Sequence, residues 1–230
     1  MQALILCGGK GKRLAPLTKK TPKPMLRINH KPFLEHQLVF LKKKGINDFV
    51  FCAGYKWKSI FNYFKDGSSW GVHIVYSVEK KPLGTGGAIR IAKGYLRDNF
   101  LVVYGDSFLP IDYRSFYFKA KKMNKLCVVL VYNNKKDTHV QNNIAIDKKG
   151  FILRYDKVSS DEGMRFVDAG AMLLKKKALG FIHQNKKISL ESDLFKRFIK
   201  IRELAGIKTR QKFYDIGTFE RLEEIKKILK

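Results

Sequence analysis

Short, continuous apolar runs alternate with amphipathic stretches along the first half of the chain. Gln2–Cys7, Phe49–Ala53, Val72–Tyr76, Phe100–Tyr104 and Cys127–Tyr132 are rich in Val, Ile and Phe. Runs of this kind predict strands buried on both faces. Between them, Phe33–Lys44, Lys56–Lys65, Gly86–Leu96 and Tyr113–Lys122 repeat apolar residues at helical spacing. Pro32 opens the first of these and Gly45 closes it, the positions each residue favours. Strand–helix alternation predicts an α/β fold, a doubly wound and mostly parallel sheet with helices on both faces. Loop-borne chemistry then belongs at the carboxyl ends of the strands.

The pattern changes in the second half. Asn143–Asp147 and Phe151–Tyr155 flank Lys148-Lys149-Gly150 and predict a hairpin. Phe166–Leu174 predicts another strand. Ser189 is placed to cap a helix over Leu190–Ile201, and Thr218 one over Phe219–Leu229. This is an α+β portion appended to the sheet. No Pro/Gly/Ser-rich boundary separates it, so residues 1–230 read as a single domain. The change of pattern divides it into parts of about 1–135 and about 136–230.

Composition narrows the class. At 230 residues and 45% hydrophobic the chain can bury a full core without disulfide or metal support. No apolar run approaches the roughly 20 residues of a membrane span. The first residues lack a basic leader and a cleavage site, which predicts no signal peptide. Cys7, Cys52 and Cys127 are odd in number and each lies in an apolar run, as buried free thiols of a cytoplasmic protein would. The net charge of +27 favours anionic partners. The lysines spread along the chain and read first as a solvated surface. Beyond that, phosphate-bearing ligands are favoured over nucleic acid, because no helix-turn-helix, RNP-type or zinc spacing accompanies the charge.

The first strand ends in Leu6-Cys7-Gly8-Gly9-Lys10-Gly11-Lys12-Arg13-Leu14. Glycines directly after a strand let the backbone approach a ligand and aim N–H groups at phosphate. Arg13 adds a forked, charge-assisted donor. The turn lacks the Gly-Lys-Ser/Thr ending of a Walker A loop and does not run promptly into a helix. In Thr21-Pro22-Lys23-Pro24-Met25 two prolines stiffen the backbone around Lys23, as a lysine held in a fixed place requires. Gly84, Gly86 and Gly87 precede a helix and admit a flat base or ribose against backbone. Glu79, just upstream, is placed to accept from a base or a sugar hydroxyl. Asp106 follows a buried strand, where a metal ligand belongs. Asp215 precedes the last helix, where a carboxylate also serves the helix dipole. His30, His36, His73, His139 and His183 are scattered without partner spacing and are given no catalytic role. Trp57 and Trp70 read as packing residues.

Gly8-Gly9-x-Gly11-x-Arg13-Leu14-x-Pro16-Leu17-Thr18, followed by Pro22-Lys23-Pro24-Met25, resembles the signature of the sugar-1-phosphate nucleotidyltransferases, or nucleotide-sugar pyrophosphorylases. Further motifs follow in the expected order. They are Glu79-x-x-Pro82-Leu83-Gly84-Thr85-Gly86-Gly87-Ala88-Ile89, Gly105-Asp106-Ser107, Tyr155-Asp156-Lys157, Val167-Asp168-Ala169-Gly170 and Asp215-Ile216-Gly217-Thr218. The resemblance covers almost the whole chain and implies a Rossmann-like sheet with an α+β sugar-binding portion, the nucleotide bound by about 1–135 and the sugar and metal by about 136–230. It implies Arg13, Lys23 and Asp106 as the catalytic residues. Nucleoside triphosphate would be bound by Leu6, Gly8, Gly9, Gly11, Arg13, Lys23, Glu79, Gly84, Thr85 and Gly87. Sugar 1-phosphate would be bound by Gly105, Asp156, Lys157, Asp168 and Gly170. Mg²⁺ would lie between Asp106 and Asp215. Asp156 stands where the resembling enzymes commonly carry Glu, and Asp168 where they often carry Asn.

The implied reaction joins a nucleoside triphosphate to a sugar 1-phosphate and releases pyrophosphate. The motifs are nearest those of mannose- and heptose-1-phosphate guanylyltransferases, which points to GTP. Uridylyl-, cytidylyl- and thymidylyltransferases share much of the frame and stay open. So does a catalytically silent relative that binds nucleotide or nucleic acid. The chain ends directly after the last expected helix, leaving no expectation of a second catalytic domain. A homo-oligomer is compatible with the sequence.

Overall fold

In a computed structural model of the chain, the described residues are 1–134, 138, 140–157, 163–183 and 186–229. His139 lies outside them. The elements run β1 (Gln2–Leu6), α1 (Leu17–Lys20), β2 (Arg27–Ile28), β3 (Lys31–Pro32), α2 (Phe33–Lys43), β4 (Asp48–Ala53), α3 (Trp57–Phe64) and β5 (His73–Val78). There follow α4 (Gly84–Ile91), β6 (Asn99–Tyr104), β7 (Ser107–Phe108), α5 (Tyr113–Lys122), β8 (Cys127–Tyr132), β9 (Ile144–Ile146) and β10 (Ile152–Tyr155). The chain closes with β11 (Val167–Lys175), α6 (Phe195–Lys200), β12 (Leu204–Thr209), β13 (Tyr214–Asp215) and α7 (Phe219–Ile228).

Seven strands form one sheet in the order β12-β8-β11-β6-β1-β4-β5. All neighbours are parallel except β11, which runs antiparallel to both β6 and β8. Successive side chains of a strand point to opposite faces. Ile5, Phe51 and Val103 therefore join the core under α2, α3 and α5, through Leu38, Ile60, Phe64 and Phe116. Leu4, Val50 and Val102 join the core on the other face with Ile89 of α4 and Phe195 and Phe198 of α6. The expected doubly wound, mostly parallel sheet is thus present. A third apolar cluster seats α7, through Leu222 and Ile225, on Ile28, Phe33 and Phe108.

Several boundaries differ from expectation for local reasons. The predicted 190–201 helix starts as a π-helical turn over Leu190–Leu194, capped by Ser189, before α6 begins. The helix expected over Gly86–Leu96 starts at Gly84 and tightens into a 3-10 turn over Ala92–Tyr95. The expected hairpin is the antiparallel pair β9–β10, apart from the main sheet. The second half is not appended at the edge alone: β11 inserts between β6 and β8. β12 was not expected, because Gly206 interrupts a short apolar run. It forms by pairing along all of β8, so tertiary pairing overrides weak local propensity.

From β1 the chain runs outward through β4 to β5, then returns to β6 on the far side of β1. A crevice opens where connections diverge in this way, at the carboxyl ends of the two strands. The three cysteines are buried and free, and burial pushes their thiols well up. Among the described residues, no helix is long and apolar enough to cross a membrane.

Candidate functional site

A cavity of about 680 Å³ lies at the carboxyl ends of β1, β4 and β6. Its wall includes Leu6, Gly8, Gly9, Gly11, Arg13, Lys23, Glu79, Gly84, Thr85, Gly105 and Asp106, all singled out from the sequence. Tyr104, Cys52, Pro82, Ala88 and Gly217 complete much of the remainder. A shallower hollow of about 720 Å³ lies beyond the Thr21–Arg27 segment, against Ser59, Asn62 and Tyr63. It holds none of the expected site residues.

The segment after β1 is a pinned loop through Gly11, followed by a 3-10 turn over Lys12–Leu14 and the single turn of α1. The Gly8 carbonyl accepts from Tyr55 N–H (3.1 Å), and the Gly11 carbonyl accepts from the Thr18 hydroxyl (3.0 Å). Tyr55 Oη donates to the Thr18 carbonyl (3.1 Å), and Lys56 Nζ donates to those of Lys19 (2.6 Å) and Lys20 (2.9 Å). Among the described residues, no protein acceptor takes the backbone N–H groups of Gly9, Lys10 or Gly11. Such donors beside cationic side chains are suited to phosphate. Lys23 heads a 3-10 turn between Pro22 and Pro24 and is 8% exposed. Its Nζ lies 2.5 Å from Asp106 Oδ2. Arg13 is exposed, with its guanidinium near Gly217.

Glu79 also lines the cavity. Its Oε2 accepts from Leu83 N–H (3.0 Å). Its Oε1 lies against the backbone of Gly8 and Gly54, where a Cβ would come within 3.1 and 2.9 Å. Those two glycines make room for the carboxylate. Burial raises the Glu79 pKa against the opposing Leu83 N–H.

The glycines of α4 serve a second purpose. A Cβ on Gly84, where φ is +75°, would fall 2.6 Å from the Ile188 carbonyl oxygen. That carbonyl accepts from both Gly86 N–H (2.9 Å) and Gly87 N–H (3.2 Å). Gly84 and Thr85 face the cavity, whereas Gly87 is spent on the close approach of the Lys186–Ile188 segment. Gly87, expected at the nucleotide, is not among the residues that line this cavity.

Asp106 and Asp215 meet through the short pair β7–β13, in which Asp215 opposes Ser107 and Ile216 N–H donates to the Asp106 carbonyl (3.0 Å). Asp215 is bound on both oxygens, by Gly217 N–H (2.6 Å) and Arg221 Nη1 (2.8 Å). The Asp106 side chain is 37% exposed against 12% for Asp215, so Asp106 is the more available ligand. Gln37 of α2 supports this corner from beneath and was not foreseen. Its Nε2 donates to the carbonyls of Tyr104 (2.9 Å) and Ser107 (2.6 Å), spanning the turn with Asp106 at its tip. The sequence signal was only a Gln at a helix position that should face the core, a polar residue that needs partners there. Gln37→Leu is expected to lower kcat roughly 10-fold or more through misplacement of Asp106. Steady-state kinetics on the folded variant would check this.

The remaining expected residues lie beside the cavity, beyond Tyr104. Lys157 Nζ is 3.2 Å from Glu191 Oε1. Asp168 is engaged by Tyr155 Oη (3.0 Å) and Gly170 N–H (2.8 Å), and burial raises its pKa over the lowering effect of Lys157. Asp156 has Arg154 at 3.8 Å. Gly170, at φ +82°, packs on Ser107. Glu191 is the other residue sequence reasoning missed: an acid just inside a predicted helix reads as a dipole partner. Burial opposes its ionisation, but the Lys157 ammonium and the Tyr104 and Thr85 hydroxyls outweigh this and hold it at about 2. Trp57 and Trp70 pack on Phe61 and Tyr63, as expected.

A family model described as nucleotidyl transferase matches residues 2–230. A D-glycero-alpha-D-manno-heptose 1-phosphate guanylyltransferase of Campylobacter jejuni subsp. jejuni serotype O:2 is 37% identical over 223 residues, covering 96% of each chain. A protein of the same description from Aneurinibacillus thermoaerophilus is 31% identical over 219 residues, covering 94% of this chain and 93% of its own. The crystal structure of HddC from Yersinia pseudotuberculosis complexed with GMP-PN superposes with a TM-score of 0.86. It is 26% identical and covers 100% of this chain and 99% of that one.

Proposed function

The chain belongs to the nucleotidyl transferase family, and on that premise we propose that it is a sugar-1-phosphate guanylyltransferase. It joins GTP to a mannose- or heptose-like 1-phosphate and releases pyrophosphate. The heptose 1-phosphate guanylyltransferases at 37% and 31% identity support the sugar class.

The observation that carries the choice of base is Glu79. A carboxylate is an acceptor-only group whose oxygens each hold more than one lone pair. Guanine presents two adjacent donors, N1–H and the N2 amino group. Uracil and thymine present one N–H between two carbonyls, which a carboxylate repels. Cytosine and adenine set an acceptor beside their amino group. Glu79 at the cavity wall, with Oε2 held by Leu83, therefore favours guanine.

The reaction needs no protein nucleophile. An oxygen of the sugar phosphate attacks the α-phosphorus, the bond to the bridging oxygen breaks, and pyrophosphate leaves. The barrier is repulsion between two polyanions and charge growing on the α-phosphoryl oxygens, so the protein's work is positioning and electrostatics. The Gly8–Arg13 loop holds the triphosphate, Lys23 meets the α-phosphoryl charge, and Lys157 receives the sugar phosphate. Asp168 and Asp156 border the sugar side, with Gly105 and Gly170 shaping the space between.

Asp106 and Asp215 fit a divalent ion by the chemistry of their donors. They are two hard carboxylates, and among the described residues no group of three or more ligating side chains forms a complete cage. Mg²⁺ is commonly held by one or two carboxylates together with substrate phosphates, whose charge it neutralises when bound. Asp106 and Asp215 would hold it here.

Pyrophosphate release with Mg²⁺, measured for GTP, UTP, CTP, dTTP and ATP against mannose-, heptose-, glucose- and glucosamine-type 1-phosphates, tests the reading. Strong turnover only with GTP and a manno-configured 1-phosphate is expected. A clear preference for another base would overturn the assignment of Glu79.

A further inference from the structure

Glu191 takes no part in the reaction as described, yet four side chains donate to its carboxylate. Only 8% of its side chain is exposed, which is rare for an acid. It sits in the π-helical turn Leu190–Leu194, a conformation that recurs at functional positions. Oε1 accepts from Tyr104 Oη (2.5 Å) and Lys157 Nζ (3.2 Å). Oε2 accepts from the hydroxyls of Thr85 (2.8 Å) and Ser189 (2.8 Å).

The donors come from separate parts of the fold. Thr85 belongs to the turn that walls the nucleotide cavity. Tyr104 ends β6, one residue before Gly105-Asp106. Lys157 follows β10 on the sugar side. Its side chain is 53% exposed, with Nζ about 6 Å from the ring centroids of Tyr104 (6.0 Å) and Tyr155 (5.9 Å). A half-exposed lysine loses much rotamer freedom when ordered. A buried anion and two nearby aromatic rings supply the opposing attraction.

We propose that Glu191 is a positioning residue that holds Lys157 in register with the nucleotide-binding turn and with the Asp106 end of β6, so setting the distance at which the two substrates meet. This rests on the reading of Lys157 as the cation for the sugar phosphate. The three hydroxyls are essential to the device. They keep the carboxylate hydrogen-bonded when Lys157 turns toward a phosphate, so its departure does not strand a bare buried anion. Lys157 is thereby held and yet releasable.

A double-mutant cycle tests it, with Lys157→Met, Glu191→Gln and the combined variant assayed for kcat and both KM values, after thermal melting confirms folding. Glu191→Gln is expected to raise KM for the sugar 1-phosphate about 10-fold and to change KM for the nucleotide by less than about 3-fold. In the Lys157→Met background the same change should alter kcat/KM by less than about 2-fold, because its route of action is gone. Should Glu191→Gln melt below the assay temperature, Glu191→Asp keeps the charge, draws it back from Lys157, and carries the same comparison. Additive losses would overturn the coupling alone. A Lys157→Met variant with unchanged kinetics would remove the reading of Lys157, and the proposal with it.

Discussion

Lys23→Ala is expected to lower kcat for pyrophosphate release about 10²- to 10³-fold, the range found when one preorganised electrostatic contact to a developing oxyanion is removed. The structure explains why a single lysine should matter so much. Pro22 and Pro24 fix the backbone on both sides, and Lys23 is 8% exposed, so its ammonium is held in place before substrate arrives. Its 2.5 Å contact with Asp106 brings the Lys23–Met25 turn and the end of β6 to one point, where the α-phosphoryl group would sit. Truncation removes a cation from a partly desolvated cavity, where charge acts more strongly than in water. The fold should tolerate the change, because the Asp106 side chain is 37% exposed and water can solvate it once the lysine is gone. Lys23→Arg should restore only part of the rate, since a planar fork does not replace a compact ammonium. Near-normal turnover by folded Lys23→Ala protein would remove this residue from the mechanism.

Glu79→Gln is expected to cut kcat/KM for GTP about 10²-fold and to improve UTP and dTTP relative to it. A site built around specific hydrogen bonds discriminates strongly when they are unmade. The amide keeps one acceptor and gains a donor, a pattern that matches the N–H and carbonyl edge of uracil and thymine. The pH dependence has a definite sign. Burial raises the Glu79 pKa, and protonation forfeits one of the two acceptors facing guanine. KM for GTP should therefore climb as pH falls, starting at a higher pH than an ordinary carboxylate would give. The Gln variant should lack that limb. Base preference measured by competition at several pH values checks both effects, and an unchanged GTP-to-UTP ratio in the variant would refute the assignment.

Most strands of the main sheet were legible because burial on both faces demands unbroken apolar runs, as in Cys127–Tyr132, where all six residues are buried. The Gly8–Arg13 loop and the Lys23 turn were legible because glycine and proline act on their own backbones, whatever surrounds them. β12 was not legible, since its existence depends on the partner strand β8. Gly84 and Gly86 were legible as special positions, but their reason was not: the chain they admit, at Ile188, arrives from far along the sequence.

The sequence by itself determined the α/β class, the glycine-rich loop after β1 and the identity of most residues that line the cavity, because each rests on local stereochemistry or on a side chain's own charge. Only the tertiary structure decided which groups support them. Gln37 beneath Asp106, Arg221 on Asp215 and Glu191 on Lys157 are each defined by partners on other elements of the fold. A polar side chain in a helix is ambiguous on paper, since solvent satisfies it as well as any protein group. Burial against a specific donor removes that ambiguity, and burial is a property of the packed chain.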